Sequence, residues 1–160
     1  MVRTIAFALP LLLLASCASP PPPPTRAAQP RPDPVTEAWY GETVNQLAAL
    51  TRQGESLFQA RKLDAAGKVV AGAQPLAERL LQAPRPTLAA LEAAGDLDDL
   101  YGRILLANHN VGWARIVFQK NLVRWKVHKP ATPDTERRRK LASERIAACD
   151  RELDLPSSAR

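Results

Sequence analysis

Three side chains that can donate hydrogen bonds to an anion recur at steps of four in the second half of the chain. They are Lys120, Arg124 and His128, with Asn121 beside them. Residues four apart lie on one face of an α-helix, so this row could hold a phosphate or a carboxylate. Cations in the last turns of a helix also interact favourably with the helix dipole, by about 0.3–1 kcal/mol. The row is therefore explained either as an anion-binding edge or as an ordinary helix terminus.

Other patterns that could support catalysis or metal binding are weak. The two histidines, His109 and His128, have no cysteine or carboxylate near them at the spacing of metal ligands. The sequence contains no glycine-rich phosphate-binding loop and no nucleophile motif. Helix capping and the helix dipole explain Asp96, Asp98 and Asp99 near a predicted helix start. The sequence thus predicts a protein that is not an enzyme, with no metal site, no cofactor and no small-molecule substrate.

A secretory signal peptide is predicted at the N-terminus. Arg3 is followed by a nearly unbroken apolar run over residues 4–15, and small residues then precede Cys17. The run is about a dozen residues long, whereas a membrane-spanning helix needs roughly 20. Cleavage of residues 1–16 is therefore favoured over a retained transmembrane helix.

The segment Leu14 to Cys17 resembles the lipobox of bacterial lipoproteins. The resemblance implies that diacylglycerol is attached to Cys17, that the leader is cleaved before it, and that the new amine is acylated, for example with palmitate. Several acyl chains would hold the protein stably on a membrane. Ala18 stands where proteobacterial lipoproteins of the inner membrane carry aspartate, so the resemblance favours the outer membrane and a domain facing the periplasm. The alternative is an ordinary cleaved leader in which Cys17 carries no lipid.

Prolines dominate residues 17–33, which follow the predicted leader. A run from Pro20 to Pro24 is joined by Pro30 and Pro32. Proline fixes φ and lacks the backbone donor, so this segment cannot form a helix or a sheet ladder. In the polyproline II conformation, at about 3.1 Å per residue, it could hold a domain on the order of 50 Å from the membrane. We interpret it as a disordered, semi-rigid tether, with a ligand for a proline-recognising module as the alternative.

Residues 34–156 predict one all-helical domain, followed by a disordered tail at 157–160. Apolar residues recur at steps of three and four, and no run alternates with a period of two for long enough to suggest a strand. About 125 residues are enough for one hydrophobic core. Cys149 lies on an apolar line of the last predicted helix and is expected in that core, with an intermolecular disulfide as the alternative. The predicted architecture is a stack of antiparallel helical hairpins with a C-terminal helix packing across them.

Capping residues, glycines and prolines predict where the helices begin and end. The first helix is expected from Pro34, with Asp33 as its N-cap, to about Arg61. The second helix is expected to have its N-cap at Asp64, a kink or break at Pro75 and its end before Pro84. A short helix from Thr87 to Ala94, ended by Gly95, is followed by a helix with its N-cap at Asp96 that ends at a turn, Asn108–Asn110. The last two predicted helices run from Gly112 to His128 and from an opening at Thr132 and Pro133.

The predicted helix from Gly112 to His128 carries apolar residues on two arcs. One arc holds Ala114, Phe118, Leu122 and Trp125, and the other holds Ile116, Val123 and Val127. A helix that is apolar on two sides is expected to lie between neighbouring helices.

Two stretches of the chain match each other at an offset of 48 residues. The matching pairs are Gly54 and Gly102, Leu57 and Leu105, Leu63 and Val111, Ala66 and Ala114, and Val70 and Phe118. This arrangement of small and large residues resembles a tetratricopeptide repeat. The resemblance implies that a glycine and an alanine twelve positions later let two antiparallel helices approach closely. Two unrelated hairpins that share small residues at a crossing are the alternative.

The charge of the chain is compatible with several partners. It carries 22 Lys and Arg against 16 Asp and Glu, a net charge of +6. The basic run from Arg137 to Lys140 is flanked by acidic residues and is interpreted as a solvated helix face with local ion pairs. Export argues against a nucleic acid partner, which leaves an envelope protein or an anionic envelope component such as lipid headgroups, lipopolysaccharide or peptidoglycan.

The first functional hypothesis is a membrane-anchored, non-enzymatic interaction or assembly scaffold of the cell envelope. Aromatic side chains dominate contact surfaces, although core packing explains them equally well. The candidate contact residues are Trp39, Tyr40, Trp113 and Trp125. The alternative hypothesis is a binding module for an anionic envelope component, carried by Lys120, Arg124 and His128.

Overall fold

Five α-helices form the domain in the computed structural model of the protein, which describes residues 33–153. They are α1 (Ala38–Gln59), α2 (Leu63–Leu81), α3 (Leu88–Ala107), α4 (Val111–Val127) and α5 (Pro133–Glu152), preceded by a 3-10 turn at Pro34–Thr36. No strand occurs among the described residues, which confirms the all-helical prediction. The predicted leader, Cys17, the tether up to residue 32 and residues 154–160 lie outside the described residues. Within 33–153, no helix combines the length and the apolar character that a membrane span requires.

Consecutive helices pack as antiparallel hairpins that stack on one another. Helix α1 packs on α2, α3 packs on α4, and α3 also contacts both helices of the first hairpin. Helix α5 packs against α4. It also reaches α3 through ion pairs of Arg138 with Asp96 and of Arg145 with Asp99. The C-terminal helix is therefore held on both helices of the second hairpin.

Two clusters of buried side chains stabilise the stack. The first lies among α1, α2 and α3 and includes Leu47 and Leu80. The second joins α4 to α5 and includes Phe118, Ile146 and Cys149. Burying one large apolar side chain contributes on the order of 1.5–3 kcal/mol. Cys149 is fully buried, as expected, and burial raises the pKa of its thiol.

Glycines and alanines mark the closest approaches between helices. A Cβ atom on Gly102 would lie 2.3 Å from Phe118 Cε1, and one on Gly54 would lie 2.9 Å from Leu100 Cδ2. The alanines twelve positions after these glycines are also fully buried. The small residues that match at the 48-residue offset thus lie where helices touch.

The first two helices begin differently from the prediction. Asp33 does accept a hydrogen bond from Val35 N at 3.2 Å, but the helix that it caps is the 3-10 turn. Glu37 is extended, with φ −86° and ψ 143°, and separates that turn from α1. Lys62, and not Asp64, is the N-cap of α2. Asp64 lies within the first turn, where a carboxylate interacts favourably with the helix dipole.

The predicted break at Pro75 does not occur. Helix α2 continues through this residue from Leu63 to Leu81. Proline leaves the carbonyl of Ala71 without its helical hydrogen bond. Both residues are exposed, so water can satisfy that carbonyl and the helix tolerates the proline.

The predicted break at Gly95 does not occur either. Helix α3 runs through Gly95 and Asp96, so Asp96 caps nothing, and Thr87 caps α3 by accepting from Ala90 N at 3.2 Å. Gly95 is buried, and a Cβ atom there would lie 2.6 Å from Trp125 Cζ2. This glycine permits a contact between α3 and α4 and does not end a helix.

Two other predicted boundaries are confirmed. The turn Asn108–Asn110 joins α3 to α4, with His109 in the left-handed region at φ 58°. Thr132 caps α5 through a reciprocal capping box with Thr135, and Pro133 occupies the first turn.

Candidate partner-binding surface

Helix α4 is apolar on two sides, and only one of them is buried. Ala114, Phe118 and Trp125 of the first arc lie in the interior. The second arc is exposed, with Ile116 at 53%, Val123 at 57% and Val127 at 71%. The prediction that neighbours cover both arcs is therefore wrong. Among the described helices, α3 and α5 make the extensive contacts with α4, and they leave its remaining side uncovered.

The exposed arc forms a line along the whole of α4. Trp113, which is 66% exposed, extends it toward the start of the helix. The line follows steps of three and four and consists of Trp113, Ile116, Lys120, Val123 and Val127, which we call the α4 stripe. At 1.5 Å per residue the stripe is about 21 Å long. Single exposed hydrophobic residues are ordinary on a protein surface, whereas four of them on one helix face, here on both sides of Lys120, indicate a candidate interaction site.

An open depression of about 490 Å³ lies at the N-terminal end of the stripe. Trp113 and Ile116 form part of its wall, together with the turn before α4 and Leu153, the residue that follows α5. Leu153 is itself 38% exposed. The depression is shallow and open, and it extends the exposed surface where α4 begins.

A polar cluster lies beneath the middle of the stripe. Arg124 Nη2 donates to Asp98 Oδ2 at 2.7 Å, and Lys120 Nζ donates to Asp98 Oδ1 at 3.2 Å. Arg124 Nη1 also donates to Asn121 Oδ1 at 2.9 Å, and Asn121 Nδ2 donates to the carbonyl of Gly95 at 3.0 Å. Asp98 and Arg124 are buried, and Lys120 is half-exposed. One buried carboxylate therefore faces two cations.

This cluster places two members of the predicted anion-binding row inside the protein's own network. Arg124 and Lys120 both bind Asp98. His128 joins neither bond and is the C-cap of α4. An added anion would have to compete with Asp98 for Arg124, so the ion pair favours the structural explanation of the row.

The four candidate aromatic residues occupy different environments. Tyr40 is buried, where its hydroxyl donates to the carbonyl of Leu80 at 3.3 Å and accepts from Thr87 N at 3.2 Å. Trp125 is buried against α3. Trp39 is partly buried beneath the Arg79 guanidinium, which lies 3.9 Å from the ring centroid. Trp113 is thus the only one of the four that is mostly exposed.

The basic run of α5 is paired with nearby acids. Arg137 and Arg138 bind Asp134, Arg139 binds Glu136, and Lys140 Nζ lies 3.9 Å from Glu144 Oε1. Hydrogen bonds from Arg138 and Arg137 lower the pKa of Asp134. Arg137, Arg139 and Lys140 agree with the predicted solvated face and its local ion pairs, whereas Arg138 is mostly buried and also binds Asp96 of α3.

A second depression, of about 280 Å³, lies among α1, α3, α4 and α5 and is lined mainly by charged residues. Arg103 Nη1 donates to Glu55 Oε1 at 3.0 Å, and its Nε donates to Asp99 Oδ2 at 3.1 Å. Arg145 Nη2 adds a bond to the same carboxylate at 3.1 Å. These ion pairs were not predicted, although Glu55 and Arg103 follow the two matching glycines at the same 48-residue offset. The opposite charges of Glu55 and Arg103, at equivalent positions of the two matching stretches, were the signal from which their ion pair could have been predicted.

The hydrogen bond from Arg103, with the positive charge of that side chain, lowers the pKa of Glu55 below its ordinary value of 4.5. A carboxyl whose pKa is lower in the folded state stabilises the fold above its unfolded pKa, and this contribution is lost as the pH falls through the folded value. We expect Glu55→Gln to lower the unfolding free energy by about 0.5–1 kcal/mol at pH 6 and by less near pH 3. Urea unfolding at several pH values measures this.

The matched control is Glu144→Gln, which removes a carboxylate from a long, exposed pair with Lys140. The difference in unfolding free energy between Glu144→Gln and the wild type should change little with pH. If Glu55→Gln lowered the unfolding free energy by the same amount from pH 6 down to pH 3, the stabilising role assigned to the ion pair would be contradicted.

No family model matches this chain, and neither a curated protein nor a solved structure matches it.

Proposed function

We propose that this protein is a lipid-anchored, non-enzymatic interaction or assembly scaffold of the bacterial cell envelope, and that the α4 stripe is its docking surface. The observation that carries the proposal is the stripe itself, in which four exposed apolar side chains lie on both sides of Lys120 along one face of a helix whose other side is in the core. Burying apolar surface contributes about 25 cal/mol per Å², so a partner that covers this line gains affinity from it.

The proposed anchor explains how such a surface would be used. Acyl chains on Cys17 would confine the domain to a membrane, and the proline-rich segment would set its distance from that membrane. Confinement raises the effective concentration of the domain toward partners on the same membrane, which helps a small docking surface to be occupied. The absence of an inner-membrane aspartate at position 18 favours the outer membrane, facing the periplasm.

We further propose that the two hairpins are related to tetratricopeptide repeats. Equivalent glycines and alanines lie at helix contacts in both hairpins, which supports a repeated packing unit. Repeats of this kind present extended surfaces to proteins, in keeping with a scaffold. Binding of an anionic envelope component through Lys120, Arg124 and His128 gains no comparable support, because Asp98 already binds two of the three.

The test compares the wild type with Cys17→Ser in membrane fractionation and in a pull-down from detergent-solubilised membranes. We expect the wild type to sediment with membranes, to incorporate a labelled palmitate analogue and to retain at least one envelope protein. Cys17→Ser should move to the soluble fraction and lose the label. Equal membrane association of both forms would contradict the anchor, and a reproducible lack of any protein neighbour would contradict the scaffold.

A further inference from the structure

We infer that the partner of the α4 stripe is an acidic amphipathic helix of another protein. This inference rests on the proposed scaffold function and adds the chemistry of its partner. Three features of α4 carry it: the spacing of the stripe, its charge and the position of one lysine.

The spacing of the stripe residues suits a helix as the binding partner better than it suits a membrane surface. Trp113, Ile116, Lys120, Val123 and Val127 alternate steps of three and four, which is the a/d pattern of a coiled-coil seam. A helix that lies on a membrane has a broad apolar face, whereas an a/d seam is narrow and suits a second helix packed along it. The shallow depression beside Trp113 extends the contact surface at one end of the seam.

The charge of α4 specifies an acidic partner. The helix contains four basic residues and no acidic residue. Arg115 is neutralised by Asp150, but Asp98 is shared by Lys120 and Arg124, so the middle of the stripe keeps an excess of positive charge. Lys126, at the edge of the stripe, is exposed and makes no ion pair within residues 33–153. Aspartates or glutamates flanking the partner's apolar line would meet these cations.

Lys120 also argues against a second copy of this chain. It occupies an a position in the centre of the stripe and is half-exposed. In a parallel pairing of two α4 helices, the two Lys120 side chains would face each other, and in an antiparallel pairing each would face an apolar d residue, Ile116 or Val123, of the other copy. Like charges facing each other oppose association, and so does a lysine packed against an apolar residue. A different helix can instead present a carboxylate to the half-exposed Lys120 Nζ, which keeps donor hydrogens beyond the one that Asp98 accepts.

The experiment uses the full lipidated chain in its native cells, with the photoreactive amino acid benzoylphenylalanine at position 123 of the stripe. The same group at Ala71, exposed on α2, and at Arg52, exposed beside the charged depression, provides the comparisons. Crosslinked peptides are identified by mass spectrometry. We expect position 123 to capture a peptide with apolar residues at steps of three and four flanked by Asp or Glu, and position 71 not to capture it.

The charge is tested with matched lysines. Lys126→Glu should lower the crosslink yield at position 123 at least fivefold, and Lys68→Glu, an exposed lysine on α2, should change it less than twofold. Capture of a second copy, a lipid, or a neutral or basic segment would overturn the inference. Capture of a protein only at position 52 or 71 would also overturn the inference about the α4 stripe, but it would be consistent with the scaffold function. No protein crosslink at any position would overturn both.

Discussion

Replacing Asp98 by alanine is expected to lower the free energy of unfolding by about 3–5 kcal/mol, because a buried ion pair that loses one partner leaves an uncompensated charge. Arg124 is buried, and its carboxylate partner at 2.7 Å would be gone. Asn121 could still accept one bond from it, but an amide does not neutralise a guanidinium. Urea unfolding of the mature chain carrying Cys17→Ser, followed by circular dichroism, measures the loss.

A second variant separates the missing charge from the missing volume. In Asp98→Leu with Arg124→Met, apolar side chains replace both members of the pair, and such replacements are often neutral. We expect this double variant to regain most of the stability that Asp98→Ala loses. Glu136→Ala, which breaks an exposed pair with Arg139, should stay within about 0.5 kcal/mol of the wild type. A loss of less than about 1 kcal/mol for Asp98→Ala would contradict the structural role of the cluster.

Adding a single methyl group at Gly102 is expected to cost about 2 kcal/mol. Alanine is normally favoured over glycine inside a helix, by about 1 kcal/mol. At this position, however, the new Cβ atom would lie 2.3–2.9 Å from three atoms of the Phe118 ring. Phe118 is fully buried and cannot move aside without disturbing the contact between α4 and α5. Overpacking of this kind costs about 1–3 kcal/mol and outweighs the gain in helix propensity.

Gly72 provides the matched control for Gly102. It lies in the middle of α2, and a Cβ atom there would meet nothing within 4 Å. Gly72→Ala should therefore raise the unfolding free energy by about 0.5–1 kcal/mol, opposite in sign to Gly102→Ala. If both variants shifted stability in the same direction, the close approach at Gly102 would not be limiting.

The local sequence predicted helix content well and helix interruptions poorly. Thr132 with Pro133, and the turn at Asn108–Asn110, act through neighbouring residues alone, and both are where the sequence placed them. The sequence around Gly95 looks the same whether this glycine ends a helix or lies inside one where another helix packs closely against it. Side chains distant along the chain, Trp125 and Asn121 of α4, distinguish the two cases.

The candidate surface was predicted in its periodicity but not in its exposure. Two apolar arcs on α4 follow from spacing, yet which arc is covered depends on where α3 and α5 pack. For the same reason, residue type alone could not separate Trp113, on the surface, from Tyr40 and Trp125, in the core. The ion pair of Asp98 with Arg124 joins different helices and has no local signature. The predictions for Cys17 and the tether concern residues outside the described range and stay predictions.

The bond between Glu55 and Arg103 makes the two hairpins non-interchangeable. These residues occupy equivalent positions, so each hairpin supplies one sign of charge to the contact. Two copies of the first hairpin would place glutamate against glutamate, and two copies of the second would place arginine against arginine. Charge therefore favours contact between two unlike hairpins, and a tandem array of either hairpin alone would place like charges together at this joint.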